Sequence, residues 1–140
     1  MTLRTVSFAV LRGLVGGVAL TALMQGLVGL FAWATPTPDA NIGAGLIAFM
    51  AGAGFAFLWL LLEGRIAGLG AALLVAAVAG LTSALAGILW IASQDATSTS
   101  TVLEQVRYDL SLIPFLAGLV AGPGAVGAVI GYATRRPGQG

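Results

Sequence analysis

The chain has 140 residues, 59% of them hydrophobic and only 8% charged, with a formal net charge of +1. A soluble domain carries about a quarter charged residues, so most of this surface is built to meet something other than water. There is no His and no Cys, and all six basic residues are Arg, which excludes imidazole and thiolate metal ligation, thiol nucleophiles, disulfides and histidine acid–base catalysis, while so small a charge gives nucleic acid no electrostatic foothold.

Four apolar stretches take up most of the chain, each at least twenty residues long and without an interior charge: Gly13 to Trp33, Ile42 to Leu62, Ile66 to Ala92 and Leu112 to Thr134. At about 1.5 Å of rise per residue, twenty helical residues cover the roughly 30 Å of a bilayer's hydrocarbon. The expected fold is an all-α, integral membrane four-helix bundle forming a single transmembrane domain. Before the first stretch, Arg4 and Arg12 give a basic flank, and Ala32-Trp33-Ala34 has the small-x-small form of a cleavage site. The apolar run exceeds the usual signal-peptide core of about 7–15 residues, so a retained helix is the reading taken.

The first joint, Thr35-Pro36-Thr37-Pro38-Asp39, is stiffened by its prolines, with Asp39 or Asn41 placed to cap the second span. Leu62-Glu63-Gly64-Arg65 reads as a tight turn in which Gly64 takes a left-handed conformation. One helix from 42 to 92 would extend about 75 Å, so a reversal is required here. In the third joint, Ser93 to Thr101 is polar and reads as loop. Thr101-Val102-Leu103-Glu104 then has capping-box spacing. Val102, Leu103, Val106 and Leu110 recur at three and four residues, which describes either a short amphipathic helix on the outer membrane surface or the extended start of span four.

Charge sorts by side. The outer segments and the middle joint hold Arg4, Arg12, Arg65, Arg135 and Arg136 against Glu63 alone, whereas the other two joints hold Asp39, Asp95, Glu104 and Asp109 against Arg107 alone. By the positive-inside rule both termini face the cytoplasm. An offset of 70 aligns Leu46 with Leu116, Ala51-Gly52 with Ala121-Gly122, Gly54 with Gly124 and Arg65 with Arg135; an offset of 57 brings Trp33 onto Trp90 and Gln25 onto Thr82. These matches raise the reading of two tandem two-span hairpins, 1–65 and 66–140, and shared membrane constraints on Trp and Arg would produce some of the same matches.

Small residues recur at four-residue spacing on every span, among them Gly13 and Gly17, Gly52, and Gly118 and Gly122; with Gly54 and Gly124 these are the candidate packing positions. Lipid removes the hydrophobic drive between helices, so close approach at small residues takes its place. The Gly-x-Gly pairs at 52/54 and 122/124 lie inside apolar spans, which excludes a phosphate-binding loop. Pro123 is expected to kink span four. Gln25, Thr82 and Ser83 are the polar groups nearest the bilayer middle, and a bond from Gln25 to one of the two hydroxyls is expected to set how spans one and three meet. Glu104, Arg107 and Asp109 cluster on the outer side as candidate partner or lipid contacts.

No constellation points to catalysis, a cofactor or a metal; Thr82 and Ser83 have no base at their depth. The expected function is that of a non-catalytic polytopic membrane protein of the cell membrane: an accessory, scaffold or assembly subunit. Its partners would be the lipid bilayer and other membrane subunits or further copies of itself. The alternative is a small oligomeric channel or transporter for a neutral solute or lipid, since no ionisable group sits at membrane depth to couple transport to an ion.

Overall fold

A computed structural model describes residues 2–34, 38–95 and 101–135, and the fold is all-helical. Helix α1 spans Leu3–Ala34, α2 Pro38–Ala67, α3 Leu69–Asp95, α4 Val102–Asp109 and α5 Ile113–Ala133, with a 3₁₀ turn at Leu110–Leu112 joining the last two. Four of these segments are long and apolar enough to cross a membrane. In hydrocarbon every backbone N–H and C=O needs a partner within the chain, and the helix supplies it locally. Ala and Gly, with a few Leu and Val, fill the interior, and the large side chains turned outward are mostly Leu, Ile, Val, Phe and Met, including Leu46, Met50, Leu58 and Phe115.

The helices form a ring in the order α1, α2, α5, α3, with α1 and α5 at opposite corners and α2 touching α3 across the other diagonal. Two pairs of neighbours run parallel. Gly13 meets Val75 and Val78, and Gly17 meets Ala79 and Thr82, so α1 and α3 advance together; Gly127 meets Phe57 and Gly131 meets Leu61, so α2 and α5 do the same. The most enclosed helix is α3, with 44% of its span window buried against 17% for α1. It packs on every other element of the ring and carries α4 as well. Two buried clusters fill the interior: Ala9, Leu60, Ala72, Val75, Ala76 and Ala128 toward the Arg-bearing end, and Leu20, Ala56 and Val120 at mid-height.

The reversal between α2 and α3 differs from the sequence expectation. Helix α2 continues through Glu63, Gly64 and Arg65 as far as Ala67, and the left-handed residue is Gly68, at φ 83°. Gly64 is helical because it is a packing residue: a Cβ there would strike the backbone of Ala128 on α5. Gly68 is the next residue at which a positive φ carries no steric cost. Extending the helix by a turn also keeps Glu63 on a helical face, where it meets α1.

At the other end, Ser93, Gln94 and Asp95 belong to α3 rather than to a loop, and residues 96–100 lie outside the described residues, as does the joint at 35–37 with the side chains of Asp39 and Asn41. The capping box forms in both directions: Thr101 Oγ1 accepts from the Glu104 N–H at 3.3 Å, and the Thr101 N–H donates to Glu104 Oε2 at 2.9 Å. Helix α4 is a separate element with no buried residue. The ψ values of −5° at Asp109 and −13° at Leu112 depart from the regular helical value, and between them lies the 3₁₀ turn. Helix α5 runs unbroken through Pro123.

Candidate functional site

The polar groups of the spans meet at one place. Thr21 of α1 is buried and its hydroxyl lies 3.1 Å from Ser83 Oγ and 3.2 Å from the Ser83 carbonyl, besides 3.0 Å from its own Gly17 carbonyl. The contact exists because Gly17, one turn earlier, lets α1 approach α3 so closely that a Cβ there would overlap Thr82 Cβ and the Ala79 carbonyl. Close approach at a glycine and a hydroxyl bond one turn later is how small and polar residues act together in lipid.

Thr21, not Gln25, is therefore the partner of Ser83. Gln25 makes no hydrogen bond among the described residues, and Thr82 is held against Gly17 through its Cβ. The physical reason lies in the register of α1 along α3: Gly13 meets Val75 and Val78, and Gly17 meets Ala79 and Thr82, so the next turn brings Thr21 to Ser83. Thr21 stands four residues after Gly17 on the stripe that faces α3, and Gln25, a further turn along, is where α1 borders open space.

That space is a cavity of about 370 Å³ walled by four helices: Thr21, Met24, Gln25 and Val28 of α1, Gly45 and Ala48 of α2, Ser83, Ala84, Gly87 and Ile91 of α3, and Leu116, Leu119 and Val120 of α5. Val120, with Leu20 and Ala56 beside it, belongs to the mid-height cluster. The lining is apolar apart from Thr21, Gln25 and Ser83, the composition of a site that takes an apolar body and orients it with few polar contacts. Leu119 stands four residues before Pro123, which has no N–H to give its carbonyl. Gln25 also borders a second recess, of about 440 Å³, between α1 and α3 beside Trp90.

The candidate packing glycines divide. Gly13 and Gly17 press on α3, Gly52 would meet Met24 on α1 if it bore a Cβ, and Gly124 rests against Leu60 and Ala76. Among the described residues nothing lies within 4 Å of where a Cβ would stand at Gly54, Gly118 or Gly122, so none of the three is a packing position between these helices. The face of α5 that closes against α2 carries two four-spaced pairs, Gly124 with Ala128 and Gly127 with Gly131; Gly118 and Gly122 lie on its outward side. A spacing pattern alone gives no rotation, because both faces of α5 carry small residues.

The Arg-bearing end holds an ion pair between α1 and α2. Arg12 Nη1 donates to both Glu63 oxygens, at 3.0 and 2.8 Å. The Glu63 side chain is only 11% exposed and that of Arg12 53%. Glu63 is the lone acid on the Arg-rich side, and that isolation was the available signal. Arg65 Nε donates to Thr134 Oγ1 at 3.2 Å, tying the ends of α2 and α5 together. At the opposite end Glu104 is occupied by its own capping box, while Arg107 is exposed and Asp109 partly covered. Comparison with protein-family models, curated proteins and solved structures finds no match to this chain.

Proposed function

We propose that the protein is a non-catalytic accessory or assembly subunit of a membrane, with both termini cytoplasmic, that docks other membrane components on an outward small-residue patch. The observation that carries this reading is the placement of Gly54 on α2 and of Gly118 and Gly122 on the adjacent α5, all open beyond 4 Å. Gly127 meets Phe57 and Gly131 meets Leu61, a register of α2 and α5 that sets Gly54 within about one turn of Gly122. Small residues at a lipid-facing surface let another helix approach closely, whereas large side chains cover most of the remaining surface. The test is a photo-crosslinking residue at Gly122 in native membranes. A single protein adduct of defined mass, lost when Gly54 is replaced by Leu, supports the reading. Adducts to lipid alone would overturn it.

The four-helix cavity favours a second reading, a path or pocket for a neutral solute or lipid. Gln25 is then the residue that meets the cargo, because it lines the cavity and bonds to no other side chain among the described residues. Liposomes containing wild type are compared with Gln25→Leu by osmotic swelling over a panel of small neutral solutes. Flux that Gln25→Leu abolishes in a folded protein would replace the first reading with this one.

A further inference from the structure

A second recess, of about 380 Å³, opens at the Arg-bearing end, and its chemistry is unlike that of the four-helix cavity. The first turns of α1 bring Thr2, Arg4, Thr5 and Arg12 to its wall, and Glu63 closes it from α2. Ala9, Ala71 and Val75, all at most 5% exposed, also line it and give it an apolar floor.

The donors around this recess are not used up among the described residues. Arg12 spends Nη1 on both oxygens of Glu63, and its Nε and Nη2 have no partner among the described residues. Arg4 lies 5.9 Å from the centre of the Phe8 ring and makes no hydrogen bond or ion pair among the described residues. The Thr2 and Thr5 hydroxyls stand 2.8 Å apart, and since one donates to the other, one hydroxyl proton remains. Two guanidiniums against one carboxylate leave the recess with a net positive charge.

We propose that this recess binds the phosphate of an anionic phospholipid. Arg4 and the free edge of Arg12 hold the phosphate oxygens, the remaining threonine hydroxyl donates a further bond, and the glycerol end of the lipid covers Ala9, Ala71 and Val75. Guanidinium is suited to phosphate because its donors lie in a fixed planar fork. Basic recesses between membrane helices are where headgroups bind. The floor distinguishes a lipid from free phosphate, which has no apolar part to cover it. Leu3 and Ile66, exposed to 88% and 73% at the same end, mark a rim that acyl chains would cover. The net charge distinguishes an anionic headgroup from a zwitterionic one.

The purified full chain in mild non-ionic detergent is titrated with phosphatidylglycerol or phosphatidylcholine, and bound lipid is counted by native mass spectrometry. One phosphatidylglycerol should bind in preference to phosphatidylcholine. Arg4→Gln should weaken it about fivefold, as expected for one arginine at a membrane surface, and Arg107→Gln at the opposite end should not. Arg4 makes no hydrogen bond or ion pair among the described residues, and its contact with the Phe8 ring is exposed, so the melting temperature of Arg4→Gln without lipid should stay close to that of wild type. Equal binding of the two lipids, an unchanged affinity in Arg4→Gln, or displacement by millimolar inorganic phosphate would each overturn the proposal.

Discussion

A methyl group at Gly64 would meet the carbonyl, carbonyl carbon and Cα of Ala128, none of which can move without moving α5. Gly64→Ala in the purified protein should therefore lower stability by about 1–3 kcal/mol, the usual cost of overpacking. Gly122→Ala adds the same methyl to open space and should change stability by less than about 1 kcal/mol, the helix-propensity difference between the two residues. Denaturation in mixed detergent micelles separates them, and equal losses would contradict the assigned faces. Thr21→Val removes the hydroxyl shared with Ser83 while keeping the side-chain shape. The expected loss is about 0.6 kcal/mol, the average for such bonds between membrane helices, and Gln25→Leu should cost less because no bond is lost. The sequence identified the polar residues near the middle of the spans but paired Ser83 with the wrong one. Position along one helix follows from counting; the register between two helices follows only from how they pack.

At the scale of elements, α1 and α2 are joined at the Arg-bearing end by Arg12 and Glu63. The carboxylate is nearly enclosed, so Arg12→Leu leaves an unpaired charge and should destabilise by about 1–3 kcal/mol. The double variant Arg12→Leu/Glu63→Leu should recover most of that loss, since replacing both partners with apolar groups removes the desolvation cost. A double variant no more stable than Arg12→Leu would show that the pair does not couple the helices. Helix α4 depends on its cap, because it buries no residue. Thr101→Ala should cost about 1 kcal/mol of local stability, visible as faster hydrogen exchange over residues 102–109 with exchange in α3 unchanged. Both bonds of that cap were legible from Thr101 and Glu104, three residues apart. The end of α2 was not, because Gly64 and Gly68 are equally good helix-stop signals and only the approach of α5 at Gly64 separates them.

At the scale of the whole molecule, the lopsided distribution of Arg makes a directional prediction. Cysteine introduced at Thr99 should react with an impermeant thiol reagent in intact cells, and cysteine at Gly138 should react only after permeabilisation; the reverse pattern would invert the topology. Parallel contact between α1 and α3 and between α2 and α5 follows from the alternating direction of successive spans and does not by itself distinguish two tandem hairpins from an unrepeated bundle. The contacts at Gly127 with Phe57 and at Gly131 with Leu61 fall on the offset of 70 that aligned the halves. The glycines matched by that offset nevertheless differ in surroundings: Gly52 lies against Met24 and Gly122 is open, while Gly54 is open and Gly124 is packed.

The sequence by itself determined the four apolar spans, the side on which arginine collects and the cap of α4. Each rests on local composition or on spacing within one helix, and hydrocarbon leaves an apolar twenty-residue segment little choice but the helix. Tertiary structure alone decided which glycines face inward, that Thr21 rather than Gln25 meets Ser83, that Glu63 pairs with Arg12, and that four helices leave a cavity. These depend on how each helix is rotated about its axis and on its register along its neighbours, and with apolar residues on every side of every span, amphipathicity leaves both unspecified. Close packing between neighbouring helices sets them.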